Sequence, residues 1–210
     1  MNFQPLAQRF ARLTTDIVVR RPRLWFLLRR ATRFQFDRLA PQWDAIRASE
    51  TAYAPYEAAL ERVEPPPKRA LDLGTGTGGA AFVIARRFPE AEVVGADLAE
   101  RMIECARENL TEELRRQVRF EVADAAKLPY GEAAFDLVGL SNMIPFFDEL
   151  DRVLSPGGFL IVAFSGGAET PIYVPPERLR AELGRRGFAD FAEFSTNPGT
   201  ALLARKAERA

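Results

Sequence analysis

Asp72, Gly74, Gly76 and Gly78 stand at alternate positions in the stretch ALDLGTGTGGAAF, residues 70–82, and two further acids, Asp97 and Asp124, close later apolar runs. Glycines between an apolar run and a helix-like run let backbone come close to a ligand, and they aim the first amides of the helix at it. Gly74, Gly76 and Gly79 also satisfy G-x-G-x-x-G, a spacing that cradles a dinucleotide pyrophosphate, with Asp97 where a ribose needs a carboxylate. Asp72 bears on which ligand fits. An anion at the strand end gains nothing beside a pyrophosphate, whereas it can receive the ammonium of an amino-acid ligand.

Other chemistries lack their residues. The sequence has no histidine and a single cysteine, Cys105. That removes Ser-His and Cys-His nucleophile pairs, the usual general base at neutral pH and an internal disulfide, and it leaves no expectation of a metal site. A hydride-transfer pair of the Tyr-x-x-x-Lys type is absent, because the residues four beyond Tyr53, Tyr56, Tyr130 and Tyr173 are Glu57, Leu60, Ala134 and Glu177. No lysine follows the glycines as a phosphate-binding G-x-x-x-x-G-K-[ST] loop requires. Two alternatives to the amino-acid-ligand reading stay open: an NAD(P)-dependent oxidoreductase using the G-x-G-x-x-G loop, and a non-catalytic binding module on the same fold.

The elements that must position these residues follow from periodicity. RALDL, AEVVGAD, VRFEVAD, FDLVGL and GGFLIVAF read as strands, alternating with helices over 79–87, 99–110 and 146–154. Such alternation predicts right-handed crossovers and a parallel sheet covered on both faces. After a helix in PPERLRAELGRRGF, the segments FAEFS and GTALLARKA are separated by a turn too short for a crossover, so they form an antiparallel hairpin. The expected fold is α/β, a doubly wound, mostly parallel seven-stranded sheet with a C-terminal antiparallel hairpin. An N-terminal helical arm precedes it, with Leu6, Phe10, Leu13 and Ile17, then Leu24, Leu27 and Leu28, at helical spacing. Pro65, Pro66 and Pro67 cannot continue a helix and divide residues 1–64, the arm, from a ligand-binding domain over 65–210.

The chain of 210 residues is electrically neutral, but ten arginines against three aspartates give residues 1–47 a charge of +7. The stretch VVRRPRLWFLLRRATRF could lie weakly on an anionic membrane surface, although a solvated basic face is the plainer explanation. No signal-peptide pattern and no membrane-spanning apolar run is present, so a cytoplasmic location is expected.

The blocks LDLGTGTGGAAF, VVGADLAERMIECAREN, VRFEVADAAKLPYGEAAFDLV and DRVLSPGGFLIVAF stand in the order and spacing of the class I S-adenosylmethionine-dependent methyltransferases, which residues 68–206 resemble. The resemblance implies that Asp72 and the loop of Gly74, Thr75, Gly76 and Gly78 hold the methionine portion of S-adenosylmethionine. It implies that Asp97 accepts from the ribose hydroxyls, Leu98 packs on the adenine with Met102 beside it, Asp124 accepts from the adenine amine, and Ala125 contributes backbone contact. As purely structural roles, Asp97 could cap the helix after it and Asp124 the turn after its strand.

Ser141 and Asn142 fall where cofactor and acceptor should meet, and Asn142 could equally cap the next helix. LSNMIPFF departs from the Asn-Pro-Pro-Tyr motif of amino-group methyltransferases, so a nucleic-acid partner is not expected. Met143, Ile144, Phe146 and Phe147 favour an apolar or aromatic small-molecule acceptor. FDRLAPQWD in the arm resembles a segment of the quinone-biosynthesis methyltransferases, which makes the arm a lid with Trp43, Tyr53 and Tyr56 as candidates to line it. Asp44, Asp148, a tyrosine, or prior ionisation of the acceptor could provide for deprotonation.

Overall fold

The structure, a computed structural model, describes residues 4–46 and 52–208. Its centre is a seven-stranded sheet: β1 (Arg69–Leu73), β2 (Glu92–Asp97), β3 (Val118–Val122), β4 (Phe135–Ser141), β5 (Leu154–Phe164), β6 (Phe188–Thr196) and β7 (Gly199–Lys206). The spatial order is β3-β2-β1-β4-β5-β7-β6. The first five strands are parallel, and β7 runs antiparallel to both β5 and β6, as the hairpin reading required. Strand order reverses between β1 and β4, and ligands of such sheets bind beyond the carboxyl ends of the strands at this point.

Both faces of the sheet are buried, which explains the continuous apolar runs. On β5, Leu160, Val162 and Phe164 enter one core while Phe159, Ile161 and Ala163 enter the other. The first core is closed by α7 (Phe147–Val153) and α8 (Pro176–Gly184), and the second by α4 (Ala54–Leu60), α5 (Gly79–Arg87) and α6 (Glu100–Glu108). Pro156-Gly157-Gly158, residue types that suit a turn, are part of β5. Phe135 pairs with Leu154 but Leu137 pairs with Phe159, so the extra residues form a bulge, with Gly157 at φ +76°.

The arm consists of α1 (Gln4–Arg20), α2 (Trp25–Leu39) and α3 (Trp43–Ile46). The side chains of Leu6 and Phe10 lie outside the described residues. Val18, Val19 and Trp25 join the first core, and Phe36, Leu39 and Trp43 pack on Ala99 and Met102 of the α6 region, so the arm crosses the carboxyl edge of the sheet. α4 lies before the prolines expected to end the arm, yet Tyr56, Ala59 and Leu60 are wholly buried in the second core. Tyr56 covers Gly139 of β4, where a Cβ would overlap the phenol hydroxyl.

Candidate active site

β1 ends at Leu73, and the backbone then takes positive φ at Gly74 (+73°), Gly76 (+54°) and Gly78 (+96°), values that L side chains rarely tolerate. The loop is tied to β2: the Gly74 and Thr75 amides donate to the Ala96 carbonyl at 2.8 and 3.0 Å. Asp72 is fully buried beneath it and accepts from Thr75 Oγ1 at 2.6 Å. The glycines differ in what they face. A Cβ on Gly74 would stand 2.7 Å from Met143 Sδ and one on Gly76 3.0 Å from Trp43 Nε1, whereas one on Gly78 would meet Phe120 and Phe82 of the second core. Gly74 and Gly76 thus border the cleft, and Gly78 is required by packing below it.

Asp97 closes β2 with Oδ2 accepting from the Gly76 amide and Oδ1 from the Ala99 amide, both at 2.9 Å. Removal from water raises its pKa above the ordinary 3.8, with Asp37 adding to the rise and the amide donors of Ala99 and Gly76 opposing it. A carboxylate has about four lone-pair directions, so two amide donors leave room for two more hydrogen bonds. The Asp97 side chain both caps the turn at Ala99 and faces the cleft.

The cleft measures about 910 Å³, including space open to solvent. Gly74, Gly76, Asp97, Leu98, Met102 and Ala125 line its sheet side, with Ser141 at the end of β4, Asn142 and Met143 just after it, and Trp43 from the arm. Asn142 has φ +53°, and its amide holds Ser165 twice: Nδ2 donates to Ser165 Oγ at 2.8 Å and Oδ1 accepts from the Ser165 amide at 2.9 Å. It therefore does not cap α7, whose N-cap residue is Phe146. Asparagine tolerates this left-handed conformation, which turns the chain so that Met143, Ile144 and Phe146 border the cleft.

Several expected residues lie elsewhere. Asp72 and Thr75 are behind the loop, as Gly78 is. Tyr53 packs over Gly79 and the second core instead of lining the cleft. Asp124 faces an adjoining groove, because its Oδ1 accepts from Trp25 Nε1 at 2.8 Å and from the Ala126 amide at 3.0 Å, with Arg29 at 3.5 Å from Oδ2. The neighbouring Ala125 takes the cleft side.

The residues considered for deprotonation also lie off the cleft. Asp44 accepts from Thr77 Oγ1 and Asn109 Nδ2, exposed Asp148 pairs with Arg186, and none of the four tyrosines borders the cleft. Among the described residues no cluster of three or more His, Cys, Asp or Glu is placed to hold a metal.

The arm adds lining residues that motif reading missed: Thr14, Trp25, Thr32, Gln35 and Phe36. Thr32 Oγ1 is buried without a hydrogen-bond partner. The available signal was a polar residue on the inward stripe of an amphipathic helix, at Thr14, Thr32 and Gln35, where a plain core helix carries apolar side chains.

A sequence profile described as a methyltransferase domain matches residues 70–158. The demethylmenaquinone methyltransferase of Thermus thermophilus is 41% identical over 141 residues, 60% of this chain and 62% of that protein. The malonyl-[acyl-carrier protein] O-methyltransferase of Geobacter sulfurreducens is 38% identical over 130 residues, 60% and 47% of the two chains. This chain therefore spans less than two thirds of the length of either relative. Among solved structures, phosphoethanolamine N-methyltransferase 2 of Haemonchus contortus, in complex with S-adenosyl-L-methionine, matches 72% of this chain and 52% of its own, with a TM-score of 0.59 and 21% identity. The matched stretch carries the glycine loop, Asp97 and strands β1 to β4, and over it the chain is similar to S-adenosylmethionine-dependent methyltransferase domains.

Proposed function

We propose that the protein transfers a methyl group from S-adenosylmethionine to a small, apolar or aromatic acceptor whose nucleophilic atom enters the cleft already able to attack. The observation that carries this reading is the lining: a glycine loop and one carboxylate at the sheet side, an apolar wall of Trp25, Phe36, Trp43, Met143, Ile144 and Phe146, and no histidine, lysine or tyrosine among the described lining residues. The accessory segment over 1–64 is the lid of this reading and 65–210 the cofactor domain, with α4 serving the domain's core.

The residues present fit the cofactor. Asp97 keeps hydrogen-bonding capacity for two ribose hydroxyls, Leu98, Met102 and Ala125 offer an apolar surface for adenine, and the side-chain-free faces of Gly74 and Gly76 admit the amino-acid tail. Asp72 acts through Thr75 by holding the loop and supplies negative charge beneath the ammonium. Ser141 borders the junction with the acceptor. S-adenosylmethionine, when bound, supplies an electrophilic methyl group on a sulfonium sulfur.

The rest is positioning. Asn142, fixed by Ser165, sets the Met143–Phe146 segment against the acceptor, and alignment of this kind is a large part of what such a displacement needs. The apolar wall excludes water, which favours neutralisation of an anionic nucleophile by a cationic donor. Thr32, with its unpartnered hydroxyl, and Gln35 are placed to orient a polar substituent of the acceptor. With no protein base at hand, acidic enols, phenols and carboxylates, or an amine with its lone pair free, are the fitting acceptors.

The test is transfer of labelled methyl from S-adenosylmethionine to a panel of quinols and carboxylate thioesters. The pH profile of kcat/KM should follow the ionisation of each acceptor and shift from one acceptor to another. A single profile shared by acceptors of different acidity would reveal a protein base and overturn the reading.

A further inference from the structure

α2 is apolar on two sides. Its inner stripe, Trp25, Leu28, Thr32 and Phe36, faces the cleft or the first core. Its outer face carries Phe26, Leu27 and Phe34, each 63% exposed, although helices of soluble proteins keep such residues for the core. Phe26, Arg30 and Phe34 follow one another at four-residue spacing and share a row, with Leu27 and Arg38 beside them, and the Arg38 guanidinium lies 5.7 Å from the centre of the Phe34 ring.

The charge around this face has one sign. No acid occurs between Asp16 and Asp37, while Arg20, Arg21, Arg23, Arg29, Arg30 and Arg33 do. Arg29 pairs with Asp124, and Arg33 with Asp37 and Glu100, all on the inner flank. Arg20, Arg21, Arg23 and Arg30 are exposed and have no ion pair among the described residues. On the body, Lys127 and Arg178 share a groove with Arg20, Arg23 and Phe26, where Asp124, Asp148, Glu149 and Glu182 also stand, so the one-sign surface is that of the arm. Among the described residues no helix is long and apolar enough to cross a membrane, so an attachment through this face would lie on a bilayer rather than span it.

We infer that the outer face of α2, with its flanking arginines, docks on the surface of an anionic lipid bilayer. Phe26, Leu27 and Phe34 enter the headgroup boundary, and the uncommitted arginines meet lipid phosphates. An acidic protein would satisfy the arginines but leave three adjacent apolar side chains without a matching phase; a bilayer boundary supplies both. Because the opposite side of the same helix lines the cleft, docking sets the cleft one helix diameter from the bilayer, the distance at which a lipophilic acceptor can reach it. The inference is independent of the catalytic reading, since its test needs no methyl transfer.

The full chain is sedimented with phosphatidylcholine vesicles containing or lacking phosphatidylglycerol, at low and at raised salt. The wild type should pellet with the anionic vesicles and be released by salt. F26S/L27S/F34S and, separately, R30E/R38E should each bind at least about tenfold more weakly, with the far-ultraviolet circular dichroism spectrum and cooperative thermal unfolding of the wild type retained as proof of fold. Three outcomes overturn the inference: no pelleting with anionic vesicles, variants that pellet as the wild type does, or a wild type that leaves the vesicles in solution but self-associates through this face.

Discussion

Replacing Asp97 by alanine separates its structural work from its binding work. In the folded chain its two oxygens accept the Gly76 and Ala99 amides at 2.9 Å, and in the proposed complex they also accept two ribose hydroxyls. Hydrogen bonds to an ionised group contribute about 1.5 kcal/mol each at the lower end, so loss of the two ligand bonds costs about 3 kcal/mol. At about 1.4 kcal/mol per factor of ten, S-adenosylhomocysteine should bind about 100-fold more weakly to Asp97→Ala. Calorimetric titration measures this directly, and thermal unfolding of the same sample reports whether the loop has kept its shape. Binding should also depend on pH. Burial raises the Asp97 pKa above 3.8, so the wild type should lose affinity as pH falls through that raised value, and Asp97→Ala should lack this step. Stability runs the opposite way: with the folded pKa above the unfolded one, this group's contribution is fully present below the ordinary carboxylate pKa and is lost as pH rises through the folded value. A loss under about tenfold in a variant that unfolds like the wild type would refute the role of Asp97 at the ribose.

Three further expectations follow from the geometry. Gly76→Val forces a β-branched residue into φ +54° and sets a Cβ 3.0 Å from Trp43 Nε1, so it should lose S-adenosylhomocysteine binding in calorimetry at a stability cost of about 1–2 kcal/mol. Gly139→Ala should destabilise by about 3 kcal/mol or more in denaturant melts, because the new Cβ overlaps the buried Tyr56 ring, and Tyr56→Leu in the same chain should recover part of the loss. Asn142→Gly keeps the left-handed turn but drops the Ser165 bonds. It should leave cofactor affinity within about threefold and lower kcat by about tenfold in a methyl-transfer assay, whereas unchanged kcat would remove Asn142 from acceptor positioning.

Local chemistry made much of this protein legible in its sequence. Positive φ is affordable mainly to glycine, so the loop at 74–78 could be located from residue types alone, and two-faced burial leaves strands written as unbroken apolar runs that imply a parallel sheet. The antiparallel hairpin followed from the length of one turn. What failed needed distance information. Asp124 and Ala125 are neighbours in sequence, yet one faces the arm and the other the cleft, and the choice lies with Trp25, 99 residues away, whose indole donates to the carboxylate. Tyr53 and Tyr56 look like lid aromatics by position, but Gly79 and Gly139 leave recesses that draw them onto the helix and the sheet. Pro156-Gly157-Gly158 reads as a turn because its residue types suit one, and only pairing with β4 makes it a bulge. Residue type thus determined where backbone must bend and which groups could bind. Which side chain reaches the cleft was decided by packing between segments far apart in the chain, because a side chain turns toward whichever neighbour satisfies its polar atom or fills its volume, and those neighbours are assembled only by the fold.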